Sequence, residues 1–525
     1  GGDDHCIVRG GAGSSWEKIM LSSSSRSFWR FVVAVLVVGP LPAALAQTPG
    51  SLDTSFGGVG FVSTAVSTGA GDDRARAMML QPDGKIVVVG ACDNNFCLVR
   101  YHSDGTLDSS FGIGGRVNET RASTTLTAYS AALQPDGKIV VVGNCIVGLT
   151  ATMCATRFMA DGSLDSAFGT SAGWTLPNVT SGGDVAKAVA LQTDGKIVLA
   201  GVCTGFASPT AADFCLVRLN ANGTLDTTFN TTGMVTASFG GGAINQGANA
   251  VAIQTDGKIV AAGYCDAGTY DNICVARFLA NGTALDGTFG GGSGRVVTQA
   301  VASMHNRAYS LALLHNGKIL VGAECGSATC GARYNPDGTL DASFATGGVF
   351  GPGGTTSYES LSGGLALAFD GSFVLAGWSN PGAGIDSRRA FYYSPAGALV
   401  AAMISPLAGS WYIDGQARGW SAAVMQPDGK VVLAAPQAQS GDSTKGDFLV
   451  ARYHGFPSEA RNCSLDIDGD GVVSATTDSL MHARIALGMT GSAVTSGITF
   501  APNARRSNWA AIRTYLVTQC AMVIP

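Results

Sequence analysis

The stretch LQPDGKIVVVGACDNNFCLVRY, residues 80–101, runs on into SDGTLDSSFG at 103–112, and altered copies of it follow one another down the chain. Its Asp-Gly-Lys core returns as QPDGK from Gln134, QTDGK from Gln192 and Gln254, HNGK from His315, FDGS from Phe369 and QPDGK from Gln426. With the copy at Gln81 these make seven, 53 to 62 residues apart. Self-similarity at such a period marks a repeat architecture in which each copy is one supersecondary unit. Within a copy the Asp-Gly or Asn-Gly lies between short apolar runs, at 77–80 and 86–89 in the first. Glycine takes positive φ without steric cost, so the pattern predicts a hairpin with a two-residue turn. A third apolar run at 97–101, and a fourth beyond the LDxSFGxxG segment as at 60–66, bring each copy to four short strands. Seven such units predict an all-β fold, a seven-bladed β-propeller.

A second motif, R[YFL]xxxGTLDxSF, sets Arg100 with Asp108, Arg157 with Asp165, Arg218 with Asp226, Arg277 with Asp286 and Arg333 with Asp341. In the sixth unit Tyr392 and Val400 take the two places, so the Arg and the Asp are lost together. Joint loss predicts a charge-assisted pair inside each blade, because keeping one member would bury an unpaired charge. The seventh unit has Arg452 but no LDxSF after it, whereas 51–56, SLDTSF, opens the first unit with no Arg before it. The N-terminal segment is therefore expected to dock on the last blade, with Asp53 near Arg452, and to close the ring, since closure removes exposed sheet edges.

These repeats resemble the delta-60 repeats of bacterial secreted proteins, a family similar to β-propellers, and the resemblance covers about residues 52–453. It implies the ring and says little about activity, because function is grafted on a fold rather than dictated by it.

Composition agrees: 46% hydrophobic with 73 Gly and only 13% charged suits short strands and tight turns and argues against disorder. A net charge of −5 with no basic run makes nucleic acid an unsuitable partner. Residues 1–19 carry no usable pattern and are expected to be upstream, non-native sequence. From Met20 a basic region with Arg26 and Arg30, an apolar run at 31–38 and Ala44-Leu45-Ala46 before Gln47 read as a secretory signal peptide at 20–46. The mature chain is thus expected to start at Gln47, to have no transmembrane span, and to be monomeric and secreted, periplasmic or extracellular.

Twelve cysteines lie beyond that signal. Cys92 and Cys97, Cys145 and Cys154, Cys203 and Cys215, Cys265 and Cys274, and Cys325 and Cys330 each flank one hairpin loop. Adjacent antiparallel strands bring such pairs within disulfide range, and export permits the bond. The rival reading, metal or redox chemistry, lacks a CxxC and accompanying His.

Past Pro457 the repeat stops. Asp466, Asp468, Asp470, the Val472 carbonyl and Ser474 follow the alternation of an EF-hand loop, with Gly471 for the sharp turn. The closing carboxylate is displaced by one, to Asp478. One Ca²⁺, structural in role, is the expected cofactor. This loop resembles that of dockerin-like modules, which implies a small α-helical calcium-binding module at 456–525 after the propeller at 47–455. Helices are expected around Leu480, Ala483 and Leu487, with Gly488 as cap, and around Trp509, Ile512 and Leu516 from Ser507. Cys463 and Cys520 would tie the module's ends. A dockerin has two calcium loops, whereas 501–507 offers no acidic ligand, so docking to a cohesin-like partner does not follow.

For function, the sixth and seventh units carry Trp378, Trp411, Tyr412, Asp414, Arg418 and Trp420. Aromatic faces with polar tips are what a glycan or peptide site uses, and equally what fills a gap between degenerate blades. Glutamate in the propeller is confined to Glu119, Glu324 and Glu359, and no GxSxG, HExxH or phosphate-binding loop occurs. The chain therefore reads as a binding or structural scaffold for an unknown glycan or protein ligand, with no catalytic residue assigned. The alternative is a carbohydrate-active hydrolase or lyase built from distant loops, for which Asp414, Arg418 and His305 are the first candidates.

Overall fold

The computed structural model describes residues 48–67, 71–122, 124–177, 179–180, 183–204, 212–240, 245–266, 268–314, 316–326, 328–351, 358–368, 370–380, 387–404, 412–413, 416–417, 421–439, 442–456, 477, 480–481, 492–500, 508–510 and 512–513. The chain divides into Gly1–Ala46 and Gln47–Pro525, and every described residue belongs to the second unit.

Seven four-stranded antiparallel sheets form seven blades of a β-propeller. Blade 1 runs from its inner strand Asp73–Leu80 through Ile86–Cys92 and Asn95–Tyr101 to the outer Arg116–Glu119. The inner strands of blades 2 to 7 are Thr124–Leu133, Asp184–Leu191, Gly247–Ile253, Asn306–Leu313, Tyr358–Leu367 and Ala422–Met425. Blade 7 takes its outer strand from the other end of the sequence: Phe61–Thr64 pairs antiparallel with Asp442–Tyr453, Phe61 opposite Ala451. The second and third strands are buried almost throughout, which is why residues 86–89 and 96–99 read as continuous apolar runs rather than alternating ones.

The Asp-Gly turn is one residue longer than expected. Gln81 N–H donates to the Lys85 carbonyl at 2.8 Å and Gly84 N–H to that of Gln81 at 2.9 Å, leaving a three-residue loop of Pro82, Asp83 and Gly84. Gly84 lies at φ +83°, the left-handed position such a loop demands. Pro82 presets the first corner, and Asp83 Oδ1 accepts the Lys85 N–H at 3.2 Å.

Packing between blades is apolar and cyclic. One core joins Ile86, Val88, Val99 and Tyr101 of blade 1 to Val432, Ala434, Phe448 and Val450 of blade 7, and equivalent cores lie between successive blades. The Phe of each LDxSF inserts at these junctions. Phe111 is fully buried, and a Cβ on Gly162 of the next repeat would approach its ring to 3.0 Å. That contact explains the glycine of ADGSLD at 160–165, as the 3.1 Å approach of a Cβ on Gly105 to the Phe56 ring explains that of SDGTLD: the neighbouring backbone lies close against the ring.

Helix is scarce among the described residues: a 3₁₀ turn at Gly290–Gly292 and one turn at Ser492–Thr495. Isolated helical positions occur at Leu480, Met481, Trp509 and Ile512, with Met481 N–H bonded to the Thr477 carbonyl and Ile512 N–H to that of Asn508. No helix of the described residues is long and apolar enough to cross a membrane.

Candidate functional site

The Arg–Asp motif proves to be a latch. Arg100 Nε contacts Asp108 Oδ2 at 2.7 Å, and Arg157–Asp165, Arg218–Asp226, Arg277–Asp286 and Arg333–Asp341 repeat the pair within 2.9 Å. Arg452 makes it with Asp53 at 2.7 Å. The lysine of each Asp-Gly-Lys joins in, as Lys85 on Asp108 at 3.1 Å and Lys430 on Asp53 at 3.0 Å. A second arginine nitrogen donates to a carbonyl of the following blade, Arg100 Nη1 to Ala160 O at 2.5 Å and Arg157 Nη1 to Ala221 O at 2.5 Å. In blade 7 the receiving carbonyl is Ser103 of blade 1. Burial works against ionising Asp53. The Ser55 hydroxyl, Lys430 and Arg452 nevertheless hold its carboxyl well below the usual range, and Asp108, Asp286 and Asp341 behave alike. Blade 6, where Tyr392 replaces the arginine, bonds its hydroxyl to Ser372 Oγ at 2.9 Å instead. These carboxylates are consumed by structure and unavailable for chemistry.

All five hairpin disulfides are present, Cys92–Cys97, Cys145–Cys154, Cys203–Cys215, Cys265–Cys274 and Cys325–Cys330, with Cα atoms 5.8 or 5.9 Å apart. They join the second and third strands of blades 1 to 5. Several expected residues lie outside the described ones: Trp411, Asp414, Arg418, Trp420, Asp466, Asp468, Asp470, Val472, Ser474, Asp478, Cys463 and Cys520. Trp378 sits on Phe373–Asn380, in register with Arg388, and Tyr412 on the small hairpin Tyr412–Ile413 with Gln416–Ala417. The side chains of these two also fall outside the described set.

The ring's central channel was not anticipated from the sequence. A cavity of about 400 Å³ is lined by residues of all seven inner strands. Each of the first five inner strands shifts register once, between Ala75 and Ala77, Ala128 and Ser130, Ala186 and Ala188, Ala248 and Ala250, and Ala308 and Ser310. The skipped residue is a β-bulge, which re-aims a side chain off the pleat. Arg76, Tyr129, Lys187, Asn249 and Tyr309 are those residues, and all line the cavity with Ser421 of blade 7. Lys187 Nζ lies 3.6 Å and Arg76 Cζ 5.8 Å from the centre of the Tyr129 ring. Asn249 Nδ2 donates to the Ala308 carbonyl at 2.8 Å. Burial, then the nearby charge of Glu324, raises the Tyr309 hydroxyl's pKa. The signal was in the repeats: five positions before each turn's first residue stand Arg76, Tyr129, Lys187, Asn249, Tyr309, Gly363 and Ser421, followed every time by Ala, Ser or Gly.

His305 is held on a blade-4 to blade-5 cluster. Its Nδ1 lies 3.1 Å from Asp271 Oδ2, and the same oxygen accepts from Arg307 Nε at 2.5 Å. Arg307 lies over the Tyr264 ring at 5.5 Å, and Tyr270 meets His305 edge-on. Among the described residues no group of three His, Cys, Asp or Glu is arranged to hold a metal.

No curated protein matches the chain. Several solved structures are similar to the chain at low identity. Virginiamycin B lyase from Staphylococcus aureus is 10% identical over 74% of this chain and 99% of its own, with a TM-score of 0.42. YCF48 from Cyanidioschyzon merolae is 11% identical over 75% and 99%, TM-score 0.38. The polysaccharide lyase Uly1 is 10% identical over 74% and 91%, TM-score 0.41. Residues 81–111, 134–168, 192–229, 254–289 and 315–344 match the family model described as "Domain of unknown function (DUF5122) beta-propeller". With seven blades in the fold and five of its repeats matched, the chain is a β-propeller repeat protein.

Proposed function

We propose that this protein is a secreted binding scaffold of the delta-60 repeat type, whose ring offers its central channel to a ligand while a dockerin-like C-terminal module holds one Ca²⁺. The observation that carries this reading is the channel lining. Five consecutive blades each turn one long or polar side chain inward at one bulge, of four kinds in all, while their neighbours stay small. Such variation at one place on a constant frame suits recognition. Hydrolysis of a glycosidic bond needs two carboxyl groups across it, and the described lining contains neither Asp nor Glu. The five disulfides support export to an oxidising compartment. The N-terminal segment acts as the closing piece of the ring, through Phe61–Thr64 and Asp53.

Probing an array of glycans and peptides, then analysing bound material by mass spectrometry, is expected to return ligands retained intact. The second reading, a hydrolase or lyase, rests on His305, whose imidazole is oriented by Asp271 as a general base would be. Turnover of any array hit that is lost in His305→Ala establishes that reading instead.

Calcium is placed at Asp466, Asp468, Asp470, Val472, Ser474 and Asp478. Calorimetric titration is expected to give one site in the chain 47–525, with Kd of roughly 10⁻⁴ to 10⁻³ M as in extracellular modules, and none in 47–454. Binding by the shorter chain would move the metal to the propeller.

A further inference from the structure

We infer that the channel takes an acidic saccharide, its carboxylate held between Arg76 and Lys187. This inference rests on the binding reading above and gives it a ligand class. Two cations from blades 1 and 3 flank one aromatic ring, that of Tyr129 in blade 2. Like charges brought together in a cavity repel, and an aromatic face compensates each only in part. Among the described residues neither side chain forms an ion pair with a carboxylate. Asp72, the one carboxylate whose charge acts on Arg76, is itself held by Arg74. Arg76 Nε is buried with no hydrogen-bond partner, and burial pulls the guanidinium down from its ordinary pKa. A buried donor left unsatisfied costs free energy that a ligand oxygen would recover. In a chain of net charge −5, a cationic channel is a local feature that the overall charge does not produce.

The rest of the lining says which anion. Arginine's planar fork matches a carboxylate in two-point contact, and lysine adds a point charge. Farther round the ring Asn249, Tyr309 and Ser421 supply an amide, a phenol and a hydroxyl. That mixture of rings and short polar tips suits the hydroxyls and apolar faces of a pyranose. At about 400 Å³ the channel encloses one or two sugar rings, so a trisaccharide would leave its remaining ring at the mouth, and it excludes a helix or a folded domain.

The test is calorimetry on the full chain with trigalacturonic acid, neutral trigalactose and tri-glutamate as probes. Expected is one site for trigalacturonic acid, weaker as salt rises, with affinity falling at least tenfold in Lys187→Met and in Arg76→Met and lost in Lys187→Glu. Lys187→Arg should restore most of it. Unchanged melting temperatures identify variants that have kept their fold, and the Lys187→Arg comparison stands if another variant fails to fold. Equal binding of trigalactose would retain the channel as a binding site and overturn the anionic specificity. Tri-glutamate binding as well as trigalacturonic acid would overturn the saccharide assignment. Binding by none of the three, or binding untouched by the substitutions, would overturn the proposal.

Discussion

Replacing Asp53 with Ala is expected to destabilise the protein by roughly 3–5 kcal/mol, the usual cost of stripping one partner from a buried ion pair. Asp53 is 2% exposed and faces Arg452, Lys430 and the Ser55 hydroxyl. Without it Arg452 keeps its bonds to Ser55 and Ser103 but loses its counter-charge inside the fold. The urea midpoint reads the loss, and amide exchange locates it. Faster exchange at Phe61–Thr64 and in Asp442–Tyr453, beyond that seen in Asp165→Ala of blade 2, marks the N-terminal segment as the piece that holds the ring shut. A loss below about 1 kcal/mol would place the pair among surface ion pairs of little consequence. Acid should act on all six latches at once. Their carboxyls titrate lower in the fold than in the unfolded chain. Their stabilisation is therefore complete above the unfolded value of about 3.9 and lost as pH falls through the folded values. A stability profile flat from neutral pH to about 5 and dropping below 4 is the expected result.

Reduction should have the larger effect. The five disulfides close loops spanning 5 to 12 residues, each worth about 2–3 kcal/mol in the loop-entropy model. Together they approach the whole stability of an ordinary domain, about 5–15 kcal/mol. Thermal unfolding with a strong reductant should therefore begin many degrees lower. It should start in blades 1 to 5, which hold the bonds, and reach blades 6 and 7 through the cyclic packing. An unchanged transition in fully reduced protein would show that apolar packing alone carries the ring.

The latch and the disulfides were legible because each depends on residues a fixed, short distance apart: eight or nine positions from Arg to Asp, five to twelve between cysteines. Pairing Asp53 with Arg452, 399 positions away, was reachable only by counting which half-motif was missing at each end. The turn is one residue longer than the Asp-Gly pattern predicts because Asp-Gly serves both two- and three-residue loops. Pro82, which fixes the first corner of the longer one, carried the distinction. The channel went unread for a different reason. A bulge breaks the period of two on which strand faces are assigned, so alternation alone does not place Arg76 and Lys187 in the channel. The small residues beside them were the available clue, since inner strands crowd at the axis: a Cβ on Gly364 would meet the backbone of Ala422, on the next inner strand, at 2.9 Å. The aromatic residues of units six and seven stand out by composition, which says nothing of which way a ring points.

The most direct measurement is a crystal structure of the protein soaked with trigalacturonic acid. The account predicts an intact ligand on the ring axis, its carboxylate between Arg76 and Lys187 beside Tyr129. A ligand seated instead at His305 and Asp271 would contradict it, and a ligand found cleaved would contradict it and make the protein an enzyme.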